Sequence, residues 1–371
     1  MRLAFIKKKF SIHGGAERYL QSLIQQLKQA GFEIHIFASV WEEGDAIFHR
    51  VNSLSFTSFL SAVTFDLNVK KEITNNIRPD CVISFERTTC QDIYRAGEGC
   101  HAEWLRIRSQ VEPFYKRLSF KLNPLHISLL ALEKRLYEDT PLIIANSKMV
   151  REQIIQHYGV EESRIMIIYN GVDLVRFSPE NRVRWRKDVR ESLSIPEDSP
   201  VLLFVGSGFE RKGLTTLIDS IPLIRNADMR VLVIGKGHSD KYRTRAREKG
   251  VSEKILFLGP QEEIEKYYGA ADLFVLPTLY DPFSNATLEA MASGLPVITT
   301  KNNGAAEILE NGQEGYVLDN LFDGEELADK ISLSLKDREK IAKNARKRVG
   351  AFPIEKAARE FSEAIIQTVN K

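Results

Sequence analysis

Cysteine is scarce in this chain, with three in 371 residues, at Cys81, Cys90 and Cys100. An odd number without metal-type spacing gives no disulfide framework, and points to a reducing compartment where thiols mostly pack. Long apolar runs are missing as well. No stretch approaches the roughly 18 residues a membrane span requires. The opening run from Leu3 to Ile6 meets Lys7-Lys8-Lys9 at once, too soon for the apolar region of a signal peptide. The expectation is a cytosolic protein whose contact with membrane, if any, is peripheral. An excess of one charge is also lacking, since 52 Lys and Arg against 50 Asp and Glu leave +2. That is too little to suggest nucleic acid as a partner. There is no internal repeat, no low-complexity segment, and no Asp-x-Asp motif to suggest a metal.

What the chain does have is a repeated alternation of short apolar runs with amphipathic segments, the mark of an α/β protein with doubly wound sheets. Its length exceeds what one hydrophobic core usually organises, so two domains are expected. Composition shifts at about 171–180, after Tyr169-Asn170-Gly171-Val172-Asp173. The expected division is 1–174 and 175–353, both Rossmann-like, with a C-terminal helix at 354–371 packing back on the first.

The most informative stretch is 280–298. It lies between two buried-type runs, Leu273 to Leu276 and Val297 to Thr299, and crowds polar residues at the start of a helix. In an open parallel sheet, ligands bind at the carboxyl ends of strands, where helices begin. The helix start at Ser284-Asn285 suits an anion. Glu289, about a turn into the helix, offers two acceptor oxygens to vicinal sugar hydroxyls. Asp281 stands eight positions earlier, in the loop beside Phe283. Phosphate plus sugar suggests a nucleotide-sugar.

A second anion site is read at Gly206-Ser207-Gly208-Phe209-Glu210-Arg211-Lys212-Gly213, which follows the run Val201 to Val205. Glycines and two cations, Arg211 and Lys212, precede a helix there, but the spacing is not that of a Walker A loop. The turns at Gly235 and Gly259 end further strands and are expected near the nucleoside. In the first half, Gly14-Gly15 stands at the first strand-to-helix turn, where the backbone can approach a ligand closely. Glu98 and His101, among glycines in the loop-like stretch 94–104, are candidates for a general base or an acceptor-orienting group. From Trp104 to Tyr137, basic side chains interleave with aromatics, a pattern suited to an anionic membrane surface.

Taken in this order and spacing, Gly14-Gly15-Ala16-Glu17-Arg18, Tyr169 to Asp173, 206–213, Phe257-Leu258-Gly259 and 281–296 resemble the retaining glycosyltransferases of family 4, in particular their lipopolysaccharide core glucosyltransferase I branch. The resemblance covers nearly the whole chain. It implies the GT-B fold, two Rossmann-like domains facing a central cleft, and transfer of a hexose, glucose from UDP-glucose, to a lipopolysaccharide core or other lipid-linked acceptor. It implies no required cofactor. It gives Glu289 the ribose hydroxyls, Asp281 the donor sugar, and Lys212, Arg211 and the Ser284-Asn285 helix start the diphosphate. The acceptor enters beside Gly14-Gly15, with either Glu98 or His101 orienting it. The chain departs from the family in carrying Asp281 where the first of two glutamates stands, and Ser207 where an arginine is common. A nucleotide-sugar epimerase of the same fold and a catalytically silent sugar-nucleotide-binding protein are the competing readings.

Overall fold

Leu3 and Phe5 alternate with Ala4 and Ile6 along β1 (Arg2–Ile6), and all four are fully buried. Successive side chains on a strand point to opposite faces, so a strand buried on both lies between two helical layers. A computed structural model describes residues 1–9, 15–41, 46–54, 56–224 and 228–370. Among the described residues the first sheet has the strands β1, β2 (Glu33–Ala38), β3 (Ile47–Arg50), β4 (Cys81–Ser84), β5 (Ile93–Ala96), β6 (Leu142–Ala145) and β7 (Ile165–Ile167), all parallel. Their order is β3-β2-β1-β4-β5-β6-β7. On one face Leu3 and Phe5 pack with Leu20, Leu23 and Leu27 of α1 (Gly15–Gln29). On the other, Ala4 and Ile6 pack with Phe65 and Val69 of α2 (Ser58–Asn76). Between β5 and β6 lie α3 (His101–Val111), α4 (Phe114–Leu122) and α5 (Pro124–Asp139), and α6 (Lys148–Tyr158) lies between β6 and β7.

The second sheet follows α7 (Glu180–Ser192) and repeats the plan with β8 (Val201–Val205), α8 (Leu214–Ser220), β9 (Arg230–Ile234), α9 (Asp240–Glu248), β10 (Ile255–Gly259), α10 (Ile264–Ala270), β11 (Leu273–Leu276), α11 (Asn285–Ala292), β12 (Val297–Thr300) and β13 (Gly315–Leu318). The parallel order is β10-β9-β8-β11-β12-β13. Buried Asp272, just before β11, accepts from Arg190 Nη2 at 2.6 Å and from Val201 N at 3.0 Å. Arg182, Arg186 and Arg338 also reach it. This pins α7 to the amino ends of the strands, away from the ends where ligands bind.

Two more helices, α12 (Gly324–Lys336) and α13 (Arg338–Val349), precede the last, α14 (Ile354–Val369). By contacts the chain divides into two units, Met1–Asn170 with Ile354–Lys371, and Gly171–Pro353. Ala358, Phe361 and Ile365 of α14 join the apolar cluster of Leu20 and Leu27. Burying a side chain the size of Phe or Ile contributes about 1.5–3 kcal/mol.

α7 begins at Glu180, directly after Pro179, which already holds a helical φ of −61°. One local expectation shifts. The loop-like stretch 94–104 shrinks to 97–100. Tyr94 to Ala96 finish β5, and His101 opens α3. The cause is a carboxylate from 32 residues downstream that receives the first N–H of α3, a contact that local residue pattern does not show.

Candidate active site

In a doubly wound sheet the ligand crevice lies where the strand order reverses. In the second sheet that point falls between β8 and β11. The loops that follow these two strands meet there. Lys212 Nζ, from the first loop, donates to Asp281 Oδ2 of the second, and both side chains are buried. Burial pulls the Lys212 ammonium below its usual range, and the charge of Asp281 opposes that shift. Leu279 N and Thr278 Oγ1 each donate to Arg211 O at 2.8 Å, while Arg211 Nη1 donates to Tyr280 O at 2.8 Å.

Two glycines make this approach feasible. Gly213 has φ +77°, and a Cβ there would stand 1.7 Å from Pro277 O. Gly235 has φ +141°, and a Cβ would stand 2.2 Å from Gly206 O. Any side chain would force these loops apart. Gly206 N donates to Ile234 O at 2.9 Å, and Gly235 N to Gly259 O at 3.0 Å. Gly206, Gly235 and Gly259 thus form one row at the carboxyl ends of β8, β9 and β10.

The α11 start is held from a distance. Ser284 Oγ accepts from Thr287 N at 3.3 Å as N-cap. Ser284 N donates to Asn303 Oδ1 at 3.1 Å, and Asn303 Nδ2 donates to Thr287 Oγ1 at 3.2 Å and Thr299 Oγ1 at 2.9 Å. Phe283 is buried beside the cap, Asn285 opens the helix, and Glu289 is buried on its second turn. Glu289 Oε2 accepts from Tyr268 Oη at 2.9 Å. Nothing local in the sequence marks Tyr268 or Asn303 for these roles, since each lies about twenty residues from the group it holds.

In the first unit the corresponding reversal lies between β1 and β4. Lys7 Nζ stands 3.1 Å from Glu86 Oε1, which also accepts from Lys8 N at 3.1 Å. Burial pushes the Glu86 carboxyl up, with Lys7 opposing. Arg87, next in sequence, donates from Nη1 to Glu98 Oε2 at 2.5 Å, from Nη2 to Gly99 O at 3.3 Å and from Nε to Glu133 Oε1 at 2.8 Å. His101 Nε2 lies 3.0 Å from His126 Nδ1. Burial, only partly offset by Glu133, pushes its pKa down to about 4, so the imidazole is neutral at pH 7 and a weak proton acceptor. Gly14 lies outside the described residues, and Gly15 opens α1.

The basic stretch 104–137 spans parts of α3 and α5 and the whole of α4. Much of its charge is locally paired, Arg106 with Glu103, and Arg108 and Lys116 with Glu112. Phe114, Tyr115, Leu122 and Ile127 are exposed. Among the described residues no helix is long and apolar enough to cross a membrane, and no group of three or more His, Cys, Asp or Glu is arranged to hold a metal ion.

Two doubly wound parallel-sheet units, the second with cations and a capped helix start at its switch point, give the α/β architecture of the GT-B fold. Residues 185–348 match the family described as Glycosyl transferases group 1, and residues 13–176 match Glycosyltransferase Family 4. A probable transglycosylase of Burkholderia thailandensis is 30% identical over 300 residues, 80% of this chain and 76% of that protein. The chain belongs to these glycosyltransferases. It is 26% identical over 346 residues to the lipopolysaccharide glucosyltransferase WaaG of Escherichia coli, covering 90% of each. Against several other curated glycosyltransferases the match spans about half the length of those proteins. The crystal structure of WaaG superposes with a TM-score of 0.86 at 23% identity, over 98% of this chain and 99% of that one. Anabaena HepE in complex with UDP-glucose gives 0.75 at 19%, over 99% and 100%. At such identities these likenesses speak to the fold.

Proposed function

We propose that this chain transfers glucose from UDP-glucose to a sugar hydroxyl of a lipopolysaccharide core or similar lipid-linked acceptor, with retention of anomeric configuration. The observation that carries the donor half is the meeting of Lys212 with Asp281 at the switch point of the second sheet. Likeness to WaaG over 90% of both chains supports the acceptor class, and the fold shared with the UDP-glucose complex of HepE supports the donor.

Glu289 takes the ribose hydroxyls, oriented by Tyr268. Lys212, Arg211 and the N-terminal end of α11 at Ser284-Asn285 receive the diphosphate. The row Gly206, Gly235 and Gly259 gives the nucleotide backbone surface to lie on, and Phe283 walls the helix start. The diphosphate gains charge as the glycosidic bond breaks, so a fixed ammonium and helix start stabilise the transition state more than the ground state. Lys212 is held in place by Asp281 and needs little reorganisation to meet that charge. Asp281 also faces the donor sugar.

On the first unit, Glu98 orients the acceptor hydroxyl, and neutral His101 supplies a hydrogen-bonding edge beside it. Gly14-Gly15 lets the acceptor approach. The departing phosphate assists removal of the acceptor proton. Exposed Phe114, Tyr115, Leu122 and Ile127, with Arg117 and Lys121 on the same segment, suit a peripheral contact with anionic lipid.

The test is incubation with UDP-glucose and truncated lipopolysaccharide core, following UDP release and product mass. Acceptor-dependent UDP release with gain of one hexose is expected. Binding of UDP-, ADP- and GDP-sugars without turnover contradicts the reading, as does conversion of UDP-glucose without acceptor.

A further inference from the structure

Glu133 is the fully buried carboxylate of α5, and the mechanism above leaves it unused. Four donors converge on it. Arg87 Nε reaches Oε1 at 2.8 Å, and Tyr158 Oη of α6 reaches Oε2 at 2.5 Å. His101 N reaches both oxygens, at 2.7 and 2.9 Å, and Ala102 N reaches Oε2 at 3.4 Å. The last two are the opening N–H groups of α3, whose N-cap residue, Cys100, makes no side-chain cap hydrogen bond. A carboxylate at that spot supplies the missing cap and complements the helix dipole.

The Arg87 guanidinium carries the same anchor in the other direction. One edge is spent on Glu133, and the rest grips Glu98 and the carbonyl of Gly99. A planar fork with fixed donors transmits position better than a flexible ammonium. Both ends of the short loop 97–100 are therefore registered to one buried charge. Glu98 is held through Arg87, and His101 is held through its own backbone.

We propose that Glu133 is a positioning residue for the transferase reaction, fixing Glu98 and His101 relative to each other for a hydroxylated acceptor. The inference rests on the assignment of these two residues to the acceptor. Glu133 touches no substrate; it acts through Arg87 and the start of α3. A displacement of about 1 Å at the acceptor hydroxyl is enough for a loss near 10²-fold.

The experiment measures full-length wild type, Glu133→Gln, Glu98→Gln and the double variant with UDP-glucose and truncated core. Glu133→Gln is expected to lower kcat/KM for the acceptor about 10²-fold while the Kd for UDP-glucose stays within twofold. In the Glu98→Gln background the same change is expected to cost less than threefold, because fixing Glu98 relative to His101 no longer matters once the Glu98 carboxylate is gone. Should Glu133→Gln not fold, Tyr158→Phe, which removes one bond to Glu133 and no charge, carries the test with an expected loss of about 3–10-fold in the acceptor term alone. Equal loss of donor affinity, or losses that multiply in the double variant, overturn the inference and leave a merely structural role. Unchanged acceptor kinetics in the folded variants overturn it too. Absence of transfer by the wild type overturns the proposed function and this inference together.

Discussion

The two switch points of this protein are built in different ways. In the second unit the site is assembled from loops that directly follow neighbouring strands. Lys212 and Asp281 meet because β8 and β11 lie side by side. In the first unit the loops after the neighbouring strands β4 and β5 also meet, through Arg87 and Glu98, but they are tied to His101 at the start of α3 by Glu133, a carboxylate on α5. One site is made by backbone topology and glycines; the other depends on a buried charge brought from far along the chain. The first kind tolerates little change in backbone, and the second little change in charge.

That contrast can be broken most sharply at Lys212. Lys212→Ala is expected to lower kcat about 10²–10³-fold, with acceptor KM little changed, as measured by initial rates. Equal loss in both units' functions would erase the division of labour. Next comes the backbone claim. Gly213→Ala is expected to destabilise the second unit by about 2–4 kcal/mol, read from urea unfolding, since the new Cβ meets Pro277 O at a left-handed φ. Gly31→Ala, also at positive φ but with open space around it, serves as the control at about 1 kcal/mol. Similar costs at both positions would remove the steric argument for the loop meeting.

Asp281→Glu adds one methylene beside the donor sugar and is expected to change the kcat/KM ratio of UDP-glucose to UDP-galactose about tenfold. An unchanged ratio takes Asp281 out of sugar selection. The smallest effect belongs to His101. Its folded pKa, near 4, lies below the ordinary value of 6.5. Between these values the unfolded chain binds more protons, so stability falls as pH drops from about 6.5 toward 4. Melting temperatures of wild type should decline more steeply over that window than those of His101→Asn. Parallel curves would mean that the imidazole titrates normally in the folded protein.

The alternation of strands and helices was legible because parallel strands buried on both faces read as short apolar runs, as Val201 to Val205 and Leu273 to Leu276 do. The last helix, Ile354–Val369, was legible from its periodicity after Pro353. At the helix start of α11, Ser284, Asn285 and Glu289 stand close together in sequence, so their shared end of the helix followed from spacing alone. Tyr268, Asn303, Arg87 and Glu133 were not legible. Each is an ordinary residue in its own segment, and its partner is fixed by packing between elements 11 to 46 residues apart. The loop at 97–100 looked longer in sequence for the same reason, since the cap of α3 comes from α5 and not from a neighbouring Ser or Asp.

The central claim, that the helix start after β11 is the nucleotide-sugar site, is tested most directly by titrating UDP-glucose into wild type and Glu289→Ala by calorimetry. The account predicts measurable binding by the wild type and a loss of at least about 10²-fold in affinity in the variant, with the fold intact, because two ribose hydroxyls lose a charged acceptor. Unchanged affinity in a folded Glu289→Ala would contradict it.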